Sequence, residues 1–69
     1  MHDLTTAYND AIAAYDDGTG TLEAVAEAVN DVNNALGKQN ITLEALRDGY
    51  EKAKKAAGGY LTMSEYLEQ

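Results

Sequence analysis

Apolar residues recur at spacings of three and four between glycines, and no proline interrupts them. That recurrence is the period of a helix with one apolar face. Leu22, Val25, Val29, Val32 and Leu36 make one seam, and Leu43, Leu46, Tyr50, Ala53 and Ala57 repeat its 3, 4, 3, 4 spacing. Ahead of them, Leu4, Ala7, Tyr8, Ala11, Ile12 and Tyr15 form a broader stripe. The two-residue alternation of a half-buried strand appears nowhere. The expected class is all-α, a small bundle of three main helices plus a short C-terminal fourth helix.

The ends of these segments carry their own chemistry. Asp3, Thr21 and Thr42 stand where side-chain oxygens cap orphan backbone N–H groups, and Gly18, Gly37 and Gly58-Gly59 stand where helices stop. Thr62-Met63-Ser64-Glu65 is a capping box, and Leu61 is placed to staple onto Tyr66. Helices are therefore expected at about 4–17, 22–36, 43–57 and 63–68, within one domain spanning 1–69. Gly49 inside the third helix costs about 1 kcal/mol relative to Ala, which points to close packing there. The run Thr21-Leu22-Glu23-Ala24-Val25 echoes Thr42-Leu43-Glu44-Ala45-Leu46. Two helices begun with the same capping chemistry account for that echo, since repeat arrays need about three copies. Lys38-Gln39-Asn40-Ile41 reads as a short connector, so consecutive helices should lie antiparallel.

Only twelve large aliphatic side chains (seven Leu, two Ile, three Val) stand beside twelve Ala and five Tyr. A chain below about 70–80 residues rarely gains more than about 3–5 kcal/mol from one core. Tyr8, Tyr15 and Tyr50 read as core at these spacings, with Tyr60 and Tyr66 at its borders. A thin core also makes a homodimer a natural expectation.

The catalytic inventory is sparse. The chain has no Cys, which removes disulfides, thiolate metal sites and cysteine nucleophiles. It has one Ser and one His. Ser64 falls in a first helical turn and His2 at a terminus, whereas nucleophilic catalysis needs a base within hydrogen-bond reach. No Gly-rich phosphate loop is present. The expectation is no enzyme and no cofactor. No apolar run of about 18 residues and no leader pattern at the N-terminus appear, so the expected setting is cytoplasmic, away from membranes.

Two segments resemble parts of an EF-hand loop: Asp17-Gly18-Thr19-Gly20-Thr21-Leu22, and Gly59 to Tyr66 with Gly, apolar and Glu at the loop's sixth, eighth and twelfth places. The oxygen ligands fail. Aligned on Gly20, the first and twelfth places hold Tyr15 and Ala26. In the second segment Lys54, Ala56 and Gly58 stand where the first three ligands belong. Glycine-stopped, threonine-capped helices give the same letters, so no metal site is expected, and a degenerate helix-loop-helix pair without calcium remains an alternative.

Charge is distributed unevenly. The first 34 residues hold seven acids and no Lys or Arg, whereas the rest hold five acids and five bases, so the whole net charge of −7 belongs to the first two helices. Asp3, Asp10 and Asp17 recur every seven residues, about 10.5 Å apart along a helix, and Glu23, Glu27 and Asp31 recur every four, about 6 Å apart. Like charges at i, i+4 cost about 0.2–0.5 kcal/mol per pair. The third helix instead sets Asp48 before Lys52 and Glu51 before Lys55, the favourable order. An acidic face is either a solubilising surface or a docking surface. Self-repulsion argues against nucleic acid or an anionic membrane as its direct partner and favours a basic protein surface, such as that of a nucleic-acid-binding protein. In size and charge the chain looks like the small acidic inhibitors that phages make against host nucleic-acid machinery, anti-CRISPR proteins included. That similarity of type implies a phosphate-mimicking inhibitor. The competing expectation is an assembly module that associates through an apolar Tyr/Leu surface.

Overall fold

A computed structural model describes residues 3–68 and contains four helices: α1 (Leu4–Asp17), α2 (Leu22–Ala35), α3 (Leu43–Ala56) and α4 (Met63–Glu68). No strand occurs among the described residues, so the fold is the expected all-α bundle. His2 lies outside the described residues.

The starts follow the capping pattern. Asp3 Oδ1 accepts from the Thr6 N–H at 2.7 Å, Thr21 Oγ1 from Ala24 at 3.2 Å, and Thr42 Oγ1 from Ala45 at 3.0 Å. The capping box at α4 closes in both directions, Glu65 N–H to Thr62 Oγ1 and Thr62 N–H to Glu65 Oε1. Gly18 ends α1 in the left-handed region at φ 85°, where a side chain would be strained. Both stretches that resemble calcium loops are thus a glycine stop followed by a threonine cap.

Helix α2 packs most extensively on α1 and also touches α3, while α4 returns to contact α1 and α3. The core gathers Ile12 from α1, Val25, Ala26 and Val29 from α2, Leu46 and Tyr50 from α3, and Met63 from α4. Val25 and Met63 are wholly enclosed. Tyr8, Tyr15 and Tyr66 pack partly buried against this cluster, and Leu61 joins them, whereas Tyr60 is 90% exposed. Gly49 is explained by Tyr66, whose hydroxyl occupies the space a Cβ at position 49 would need.

The helix ends fall within a residue of those expected, and one seam position needs correction. Helix α2 ends at Ala35 and α3 at Ala56, with Leu36 and Ala57 as their C-caps. Leu36, the expected last member of the α2 seam, is 64% exposed. The reason lies in the connector. The Asn30 side chain clamps the Ile41 backbone, its Nδ2 donating to the Ile41 carbonyl and its Oδ1 accepting from the Ile41 N–H, each at 2.8 Å. Ile41 is thereby packed against the core and α3 begins level with Asn30. Leu36 lies six residues further along α2, about 9 Å beyond that level.

Tyr50 joins the two ends of the core. Its ring meets Tyr15 and Tyr66 edge-on at 6.0 and 5.6 Å, the Lys54 ammonium sits 5.9 Å from its centroid, and its hydroxyl donates to the Leu61 carbonyl at 2.5 Å. Burial holds this hydroxyl above its ordinary pKa of 10, with Tyr15, Asp16 and Glu65 adding negative charge nearby. A raised folded pKa means the neutral form is favoured in the fold, so the contribution is complete below the unfolded pKa and is lost as pH rises through the folded one. Denaturant midpoints should therefore fall above about pH 10. Tyr50→Phe, with no proton to lose, should start less stable at neutral pH and show a shallower alkaline decline. Equal declines in both proteins would remove Tyr50 from the account.

Candidate acidic face and the α1–α4 hollow

The six acids singled out by spacing, Asp3, Asp10, Asp17, Glu23, Glu27 and Asp31, are all exposed. Helical geometry explains why. At 100° per residue Asp10 and Asp17 fall on the arc of α1 opposite Ile12, and Glu23, Glu27 and Asp31 fall on the arc of α2 away from Val25 and Val29. The α2 acids form a stack on one face, and the α1 acids form a sparser row. Asp3 has a second duty, because its carboxylate caps α1. The Thr6 N–H bond holds that carboxyl below its ordinary value. Among the described residues no three acidic or imidazole side chains converge closely enough to hold a metal ion. The face offers distributed negative charge.

Helix termini reinforce the contrast within the chain. A helix C-terminus carries partial negative charge that cations relieve. Neither α1 nor α2 has a base in its last turn, whereas α3 ends on Lys54 and Lys55. On α3 the charges of Asp48, Glu51, Lys52 and Lys55 interleave around one shallow hollow of about 300 Å³.

Asp16 was not singled out by spacing and proves to be structural. It follows Ile12 by four residues, so it lies on the packed side of α1. Its Oδ1 accepts from the Met63 N–H at 2.7 Å, and its Oδ2 accepts from the Ser64 N–H at 3.3 Å and the Ser64 hydroxyl at 3.1 Å. The carboxylate of one helix thus satisfies orphan N–H groups at the start of another, 47 positions away. Asp16→Ala should cost about 1–2 kcal/mol, the scale of a lost N-cap, and lower Tm by several degrees. Asp17→Ala, one position along on the exposed arc, should leave Tm nearly unchanged. Equal losses from the two variants would dismiss the clasp.

Between α1 and α4 lies a hollow of about 220 Å³ lined by Tyr8, Asn9, Ile12, Ser64, Leu67 and Glu68. Burial and, secondarily, the Glu68 charge hold the Tyr8 hydroxyl above its ordinary pKa. No spacing rule pointed to this hollow, because its two walls are some fifty residues apart in the chain. No helix among the described residues is long and apolar enough to cross a membrane. Compared with protein-family models, curated proteins and solved structures, the chain matches none.

Proposed function

We propose that this chain is a non-enzymatic binding module whose acidic helices α1 and α2 occupy a basic, phosphate-binding-type groove on a partner protein. The observation that carries the reading is the α2 stack. Glu23, Glu27 and Asp31 stand exposed at i, i+4 spacing with no base on their helix, although α3 interleaves its charges. Such a stack opposes helix stability, and Asp31 near the C-terminal end opposes the helix dipole as well. A partner that supplies Lys and Arg would relieve both. Grooves that hold phosphates have that chemistry, so the partner class is a nucleic-acid-binding protein, and the module acts on it as an inhibitor of the small phage anti-defence type.

Exposed apolar side chains favour a second reading. Leu4, Leu36 and Tyr60 are 44%, 64% and 90% exposed, which suits an assembly module, a homodimer included. Salt separates the two, because a charge-driven complex weakens as ionic strength rises and an apolar one does not. Tagged protein should retain its partner from source cells at low salt and release it at moderate salt or on addition of a duplex oligonucleotide. The neutral variant Glu23→Gln/Glu27→Gln/Asp31→Gln should retain less. Retention that ignores salt, oligonucleotide and the Gln variant would transfer the case to the apolar surface.

A further inference from the structure

Resting on the basic-partner reading, we propose that the hollow between α1 and α4 receives one arginine side chain of the partner, its stem against Ile12 and Leu67 and its guanidinium among Asn9, Ser64 and Glu68. Size is the first argument. At about 220 Å³ the hollow falls below the roughly 300–1,000 Å³ of small-molecule sites, and it suits a single side chain.

The lining is the second argument. Ile12 and Leu67 offer an apolar wall for a methylene stem, and Tyr8 adds an aromatic residue to the lining. The rim is rich in acceptors. The Ser64 hydroxyl donates its hydrogen bond to Asp16 Oδ2, so only its lone pairs remain for a ligand. The Glu68 carboxylate and the Asn9 side chain have no hydrogen-bond partner among the described residues. Guanidinium, planar with five donors and an apolar stem, matches several acceptors around an apolar wall better than a compact ammonium does.

Charge is the third. Neither α1 nor α4 contains a Lys or Arg, and their charged residues are Asp10, Asp16, Asp17, Glu65 and Glu68. A cation arriving at the hollow meets no base on either described wall, and Glu68 stands at its rim. The hollow then supplies what the exposed face lacks, a partly enclosed anchor of the kind that concentrates binding energy at interfaces.

The full chain, labelled with ¹⁵N, should be titrated at physiological salt with N-acetyl-argininamide, N-acetyl-lysinamide and N-acetyl-norleucinamide. The arginine compound should shift the amides of Tyr8, Asn9, Ser64 and Leu67 most, with lysine weaker and norleucine weakest. Glu68→Gln should weaken arginine binding about tenfold, the worth of one hydrogen bond to a charged group. Glu44→Gln, an exposed change on α3, should leave that binding unchanged. Equal shifts from norleucinamide, shifts spread along α2 that Glu68→Gln does not alter, or no shifts at all would each overturn the arginine site. None of those results bears on the salt-dependent capture that tests the acidic face. Conversely, localised arginine shifts beside a salt-insensitive partner complex would keep the hollow and remove the face.

Discussion

Val29→Asp abolishes cooperative melting: that is the expected result of placing a carboxylate in the α2 seam. Val29 is 8% exposed and belongs to the same cluster as Val25, Leu46 and Met63. Among the described residues no Lys, Arg or His is buried there to pair with a new charge. An uncompensated buried charge costs about 3–5 kcal/mol, and a chain of this length holds about 3–10 kcal/mol in total at 0.05–0.15 kcal/mol per residue. The cost is comparable with the whole margin. Val29→Ala removes methyl groups without adding charge and should cost only about 1–2 kcal/mol, leaving a cooperative transition at lower temperature. Circular dichroism melts of the two variants check this. A Val29→Asp protein that melted near the parent would mean that α2 faces the core through another arc.

The second large effect concerns binding. Replacing Glu23, Glu27 and Asp31 with Lys takes three swaps of two units each and moves the net charge from −7 to −1. The i, i+4 repulsion is removed and then reinstated with opposite sign, so those pair terms nearly cancel. Dipole terms also offset, because Lys is worse at position 23 and better at position 31. All three positions are exposed, so the fold should persist. Association with a basic partner should slow by on the order of ten- to a hundredfold at low salt as electrostatic steering is lost. Glu44→Lys, an exposed change on α3, should matter little. Stopped-flow or biosensor association rates measure the difference. Unchanged rates in a variant with native circular dichroism would reduce the acidic face to a solubilising surface.

Helix starts and stops are legible in the sequence because each is decided within four residues. Asp3, Thr21 and Thr42 cap the N–H groups three positions on, and Gly18 reverses the chain by its own backbone. The acidic rows are legible for the same reason, since a period of four or seven stays on one helix face. What joins distant segments is not. Asp16 and Asp17 are chemically identical, exposed neighbours, and only the docking of α4 makes Asp16 a clasp. Asn30 reads as an ordinary polar residue until Ile41 is brought under its amide, and that contact is what strands Leu36 beyond the core. The α1–α4 hollow likewise exists only once Leu67 and Glu68 meet Tyr8. Local rules assign the elements, whereas the site between them depends on how they pack.

The place of Met63 in the core has a consequence for biosynthesis. Its side chain is wholly enclosed, yet it belongs to the last helix and emerges thirteen residues after Tyr50. At roughly 5–20 residues per second, a ribosome adds it on the order of a second after Tyr50, the last of the other members of the cluster. Local helix and loop events take microseconds or less, so α1, α2 and α3 have ample time to collapse before it arrives. During that interval Ile12, Leu46 and Tyr50 lack the side chain that completes their packing, and Asp16 has no N–H groups to receive. Until α4 docks the core is incomplete, and these six residues close it. Chaperone capture, proteolytic nicking and premature pairing between neighbouring nascent chains all have their opening in that second.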